Sequence, residues 1–313
     1  MKQTNNTPRF DFVKLMGPFG GLSLVAVIAS VIYLAGGGIN YGIDFSGGTE
    51  VQVKFAQEVT IDQVRASAGK LNLTSFDVQK FEGDHEYVVR FQAPKGADEK
   101  EVNDLQNKQS AALSEALKND FAAQGAEIRR VDSVGPAVGD ELRRNGFLSV
   151  FYSLLVILIY VALRFDYKYS PGAVICLFHD AVVTLAVFNL MGKEVNLPIL
   201  AAILTFIGYS LNDTIVVFDR IRETESEHRR EGFRFVINKA VNDMLGRTII
   251  TALTTFMSTM TLWYFADGTV KDIAFALSVG IVAGTYSSIY VAAPFVLLTE
   301  KLSKLRKPVA AKA

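Results

Sequence analysis

The chain has 313 residues, half of them hydrophobic, and its 32 basic and 32 acidic side chains cancel to a formal net charge of zero. That balance leaves no electrostatic footprint for nucleic acid, and the single cysteine, Cys176, excludes an intramolecular disulfide. With 20% of residues charged beside so large an apolar share, the two populations must be segregated along the chain.

The first apolar run, GPFGGLSLVAVIASVIYLAGGG at 17–38, meets the need for about 20 helical residues to cross roughly 30 Å of hydrocarbon. Its basic flank and trailing small residues fit a secretory signal, but its length and five further runs make it a retained helix. Those runs are 147–163, 172–191, 197–218, 248–266 and 273–298. The expected fold is a polytopic α-helical membrane protein with six transmembrane helices.

Between the first two spans, residues 39–146 read as a small α+β domain. TEVQVKF (49–55) alternates as a half-buried strand, and IDQVRASAGKL (61–71) has helical spacing. SFDVQKF and EYVVRFQ alternate again about the turn EGDH. Residues 98–124 place Val102, Leu105, Leu113, Leu117 and Phe121 on one helical face, and AEIRRVDSVGP supplies a last strand. Strand–helix–strand–strand–helix–strand is the order of the ferredoxin-like split βαβ unit. The domain is entered through GIDFSGG (42–48) and left through VGPAVG (134–139). Gly42, Gly47, Gly48, Gly135 and Gly139 allow positive φ or close approach, Asp44 can bond nearby amides in a turn, and Pro136 stiffens the exit. These residues read as a rigid joint that could also act as a hinge; a ligand loop is the weaker alternative. His85 sits in a charged turn and reads as a solvated surface residue. HExxH, GxSxG and P-loop patterns are absent from the sequence, so no enzyme activity, metal site or cofactor is expected.

Basic residues set the expected orientation. Lys2, Arg9 and Lys14 precede the first span, and Arg164 and Lys168 follow the second. Arg220, Arg222, Arg229, Arg230, Arg234, Lys239 and Arg247 follow the fourth, and Lys301, Lys304, Arg306, Lys307 and Lys312 follow the sixth, whereas the opposite loops carry only Lys193 and Lys271. This puts a cytoplasmic segment at 1–16, a periplasmic domain at 39–146, helices 2–6 within 147–299, a basic cytoplasmic connector at 220–246 and a cytoplasmic tail at 300–313. The amphipathic FRFVINKAVNDML in that connector is expected along the membrane surface, against lipid.

In the fourth span Thr205, Gly208/Tyr209 and Asn212/Asp213 share a face, and Asp213 falls about 6–9 Å inside the helix end. The fifth span carries Arg247, Thr251, Thr254/Thr255 and Ser258 at helical spacing, and the third reaches His179 and Asp180 at similar depth. A carboxylate in hydrocarbon costs about 2.5–3.5 kcal/mol on insertion scales. Protonation or pairing with a cation such as Arg247 relieves that cost, and a group able to alternate between the two carries protons. A permanent helix-pinning ion pair is the alternative. In the sixth span, Gly280, Gly284 and Ser287/Ser288 form a small-residue packing face in which GIVAG is a GxxxG.

GIDFSGG, VGPAVG, the FHD of 178–180, GYSLNDTIVVFDRIRE at 208–223, GRTIITALTT at 246–255 and GTYSSIYVAAP at 284–294 span almost the whole chain. In these the chain resembles the SecD/SecF family of bacterial protein export, within the resistance–nodulation–division superfamily; Ser46 stands where the family often has Thr. The resemblance implies half of a twelve-helix bundle in the bacterial inner membrane, with SecD as the other half. It implies that Asp213 and Arg247 belong to a proton-conducting layer completed by SecD, with protons as the coupling ion. It further implies translocating polypeptides and the SecYEG channel as partners. A small-molecule exporter half and a non-titrating assembly scaffold remain the competing readings.

Overall fold

The computed structural model describes residues 10–306 apart from 72, 74, 81–84, 93–98 and 166–167. Lys2, Arg9, Lys307, Lys312 and most of the EGDH turn therefore lie outside the described residues. Helix α1, Phe12–Tyr33, is capped by Asp11, whose carboxylate accepts from the Lys14 amide, and it ends in a π-helical turn at Leu34–Gly38. A single turn, α2 (Ile43–Ser46), then leads into the sheet domain.

That domain contains β1 (Gly48–Lys54), α3 (Ile61–Gly69), β2 (Asp77–Lys80), β3 (Glu86–Phe91), α4 (Glu99–Asp120) and β4 (Glu127–Val134), in the order anticipated from periodicity. The strands lie β2-β3-β1-β4, and each neighbouring pair is antiparallel. Thr60 and Gln63 form a reciprocal capping box at the start of α3, satisfying amides that the helix itself cannot. Val51, Val53 and Phe55 alternate inward from β1 and meet Val64 and Ala68 of α3, and Leu113, Leu117 and Phe121 of α4. The face of α4 differs from expectation at one position: Leu105 is 38% exposed, and Gln106 takes the buried place, donating to the Val134 carbonyl at 3.4 Å. The i, i+3/i+4 row from Val102 runs through Gln106 and Ser110 to Leu113, so geometry outranked side-chain polarity there. The opposite sheet face carries Glu50, Gln52, Arg90 and Arg130 and walls a polar cleft of about 560 Å³ above the helix ends.

The remaining chain is helical: α5 (Pro136–Arg164), α6 (Ser170–Leu190), α7 (Leu197–Glu227), α8 (Phe233–Phe265), α9 (Gly268–Ser287), a π-helical turn at Ser288–Ala292, and α10 (Ala293–Arg306). Helix α5 begins eleven residues before the expected second span, with Gly135 as its N-cap and Pro136 in the first turn, the place where a missing N–H costs nothing. Helix α7 continues into the expected basic connector, and α8 begins at Phe233. FRFVINKAVNDML is thus not a separate surface helix but the first turns of α8. Its apolar face, Val236, Ile237, Ala240 and Val241, is buried with Phe12, Val13, Phe218 and Ile221. Among the described residues, five stretches are long and apolar enough to span a membrane: Phe12–Gly38, Pro136–Arg164, Ser170–Leu190, Leu197–Glu227 and Gly268–Leu302. The expected fifth span, the second half of α8, is helical but is not among them; Thr251, Thr254, Thr255, Ser258 and Thr261 dilute its hydropathy.

The entry and exit of the sheet domain press against each other. Gly47 has φ 68° and Gly48 φ 132°; a Cβ on Gly47 would stand 2.9 Å from Pro136 Cα, and one on Gly139 2.8 Å from the Gly47 nitrogen. Backbone-to-backbone contact of this kind leaves room for glycine alone. Gly47→Ala should therefore lower stability by about 1–3 kcal/mol, the cost of a side chain in so sparsely populated a region. Gly36→Ala, where nothing lies within 4 Å, should change the thermal midpoint of the purified protein far less.

Candidate functional site

The polar core of the bundle exists because two glycines let α9 approach α7. Virtual Cβ atoms on Gly280 and Gly284 would fall 2.4 Å from Phe206 Cγ and 2.8 Å from Ser210 Cβ. Close approach through small residues is the usual route to tight helix packing in lipid. It brings Ser210 of α7 and Ser287 of α9 to one carboxylate, Asp180 of α6.

Asp180 has no exposed surface. Its Oδ2 accepts from Ser210 Oγ at 2.5 Å and Ser287 Oγ at 2.9 Å, and its Oδ1 lies 2.9 Å from His179 Nδ1. Cys176 donates to Ser287 Oγ at 3.1 Å and lies 3.7 Å from Thr214 Oγ1. The His179 ring stacks on Tyr286, whose hydroxyl accepts from Ser23 of α1 and donates to the Phe19 carbonyl. Four helices are thereby joined through one buried carboxylate and its neighbours. The backbone supports this arrangement: α9 passes into its π-helical turn immediately after Ser287, an irregularity that often accompanies functional positions.

Asp213 lies one turn beyond Ser210 on α7. It is only 6% exposed, yet its Oδ2 has no hydrogen-bond partner among the described residues. The expected partner does not touch it: no ion pair joins Asp213 to Arg247 among the described residues, although the Arg247 charge acts on it through space. Arg247 itself is exposed, as are Asn212, Gly208 and Thr205. The stripe anticipated on α7 therefore divides: Asp213 turns inward, beside Ser210 and Thr214 that were not part of it, and Thr205, Gly208 and Asn212 turn out. On α8, Thr251, Thr254 and Ser258 are exposed too, and each hydroxyl donates to a carbonyl of its own helix.

The same helix α7 is anchored at its other end to the domain joint. Asp44 accepts from the Leu197 amide at 2.9 Å, where the helix N-terminus favours negative charge. Gly42 N donates to the Val195 carbonyl, and Val195 N donates to Asn40 O. From the sheet, Arg90 bonds Glu50 at 2.7 Å and pairs with Glu194 in the loop between α6 and α7. The joint is thus tied to the start of α7, and Asp213 lies sixteen residues, or about 24 Å, further along the same helix.

Periodicity had singled out Asp213, Asp180 and His179 and had set Ser287 on a packing face without its bond to Asp180, but it missed Ser210, Cys176 and Tyr286. Serines at GYS and YSS carry little signal alone; only the adjoining glycines hinted that a neighbouring helix comes close.

With the geometry in place, comparisons with known proteins can be stated. Residues 113–302 match the family described as protein export membrane protein SecD/SecF, C-terminal, and residues 32–59 match the SecD/SecF GG motif. The chain is 41% identical over 295 residues to the protein translocase subunit SecF of Magnetococcus marinus, covering 94% of this chain and 93% of that one. To the SecF subunit of Vibrio alginolyticus it is 38% identical over 275 residues, covering 88% and 85%. A crystal structure of SecDF, a translocon-associated membrane protein from Thermus thermophilus, aligns with a TM-score of 0.80 at 31% identity, and a super-membrane-facing form of SecDF aligns at 0.69 and 32%. In both cases the chain spans 40% of the longer SecDF chain.

The packing of this site has two measurable consequences. Gly284→Ala should lower the thermal midpoint in detergent, by an amount equivalent to about 1–3 kcal/mol of overpacking, whereas Gly246→Ala, in open space, should not. Asp180→Leu should cost about 1–3 kcal/mol for the Ser210 hydroxyl it strands, whereas Ser287 Oγ keeps the Gly284 carbonyl. Adding Ser210→Ala to it should restore part of that loss, because that unpaired donor is then gone. A double variant less stable than the single one would show that Ser210 is not held by Asp180.

Proposed function

This chain belongs to the SecF family of bacterial protein translocase subunits, membrane proteins of the Sec machinery, and on that premise we propose that it works with SecD to convert proton movement into completion of polypeptide translocation. The observation that carries this reading is Asp213: a carboxylate almost wholly buried, with one oxygen left without a partner. An intramembrane acid of that kind is costly and is kept where ions or protons pass. The exposed polar face of Asn212, Arg247, Thr251, Thr254 and Ser258 beside it is the wrong chemistry for lipid and the right chemistry for a second half-bundle. SecD is the occupant assigned to it.

In this reading the second half of α8 is the fifth of six transmembrane helices. The sheet domain, read as a ferredoxin-like unit from its element order, lies in the periplasm near the SecYEG channel, both termini lie in the cytoplasm, and the bundle sits in the inner membrane. The subunit performs no covalent chemistry. Protonation of Asp213 changes the charge on α7. That helix transmits the change through the Asp44–Leu197 contact and the Arg90–Glu194 pair to the domain, which acts on the emerging chain. His179 and Asp180 hold α6, α7 and α9 in register while this happens.

Asp213→Asn should leave the protein inserted and associated with its partner while removing proton-driven completion of export, because the amide keeps the shape and cannot exchange a proton. Secretion kinetics at matched expression decide the matter: export at the wild-type rate in Asp213→Asn removes the proton-relay role and favours a scaffold.

A further inference from the structure

A second cavity, about 580 Å³, opens between α1, α6, α8 and α9 on the half of the bundle nearer the sheet domain. Its volume falls within the range of small-molecule sites, but its walls are apolar: Leu22, Val183, Met260, Val279 and Val282 line it. The polar side chains at its inner end are committed elsewhere. His179 Nδ1 faces Asp180, and Ser23 and Tyr286 bond each other and the Phe19 carbonyl. Apolar cavities stay dry; the one unpartnered polar atom among its described lining residues, Trp263 Nε1, belongs to the mouth, and the cavity lies along membrane-spanning helices, so its natural content is hydrocarbon.

Dimensions narrow the occupant. From Phe275 at the mouth to Tyr286 at the floor is eleven residues of α9, or about 16 Å, which is roughly one leaflet of a hydrocarbon core about 30 Å thick. A groove of that length matches one lipid acyl chain. The mouth is an aromatic and basic rim: Lys271 Nζ lies 5.7 Å from the Trp263 ring centroid and Lys193 Nζ 5.6 Å from that of Phe275. Trp and Lys at such positions mark the headgroup level of a bilayer. We propose that this groove is a lipid site holding one phospholipid acyl chain from the leaflet on the sheet-domain side, its end against the His179–Tyr286 floor. The chain seals the Asp180 cluster from that leaflet.

The protein's only tryptophan is Trp263, so its fluorescence reports occupancy directly. The full-length protein is reconstituted in phosphatidylglycerol–phosphatidylethanolamine vesicles with a rising fraction of lipid brominated on the acyl chain. The expected result is a saturable component of quenching at low brominated fraction, severalfold above the gradual quenching by bulk lipid. That component should be lost in Val279→Phe, which fills the groove from α9. Ala26→Phe, which fills it from α1, provides an independent variant if Val279→Phe fails to reconstitute. Quenching that only follows the bulk lipid fraction in the unmodified protein overturns the proposal, and so does a saturable component that survives in a well-folded filled variant. Neither result depends on proton coupling or export, so failure here leaves the translocation reading standing.

Discussion

Three helices converge on the carboxylate of Asp180, and the packing of the bundle's polar core depends on that convergence. A carboxylate removed from water must have its hydrogen bonds supplied by protein. Here Ser210, Ser287 and His179 supply them from α7, α9 and α6 itself. The hydroxyls reach it only because Gly280 and Gly284 let α9 sit against Phe206 and Ser210. Packing and polarity therefore support each other: the glycines admit the serines, and without Asp180 the Ser210 hydroxyl would be an unpaired donor.

Asp213 stands in deliberate contrast one turn away. Both carboxylates are buried and both are tied to the same stretch of α7, yet one is surrounded by donors and the other has an oxygen with none among the described residues. A saturated carboxylate is suited to holding helices together. An unsaturated one has a free site for a proton or for a donor from another chain. The division of α7 into an inward face with Ser210 and Asp213 and an outward face with Asn212 places that free site at the edge of the polar layer, where a second half-bundle can complete it.

The connection to the sheet domain runs through space as much as through the chain. Covalently, only α1 and α5 lead into the domain, and their glycine joints are packed backbone to backbone at Gly47, Pro136 and Gly139, a geometry that suits a firm seat better than a loose hinge. Non-covalently, Asp44 on the Leu197 amide and Arg90 with Glu194 attach the domain to the start of α7. A helix of 31 residues, about 46 Å long, can carry a displacement between the two without any change in its own hydrogen bonding.

Much of this was decided by the sequence alone. Apolar runs of membrane-spanning length, alternation in TEVQVKF and EYVVRFQ, and the Gly47–Gly48 pair reflect local constraints: hydrocarbon thickness, the two-residue strand period and positive φ. Those constraints act on each segment by itself, so they are legible segment by segment. The same locality made Asp213, Asp180 and His179 conspicuous as ionisable groups in apolar runs. What only the tertiary structure decided was how these groups are paired. Arg247 stayed apart from Asp213, Ser210 and Ser287 gathered on Asp180, FRFVINKAVNDML joined α8 and packed on α1 instead of lying on a surface, and Gln106 took the buried place that Leu105 was expected to fill. Each outcome depends on the rotation and separation of helices distant in sequence, and a helical period specifies which residues share a face without specifying what that face will meet.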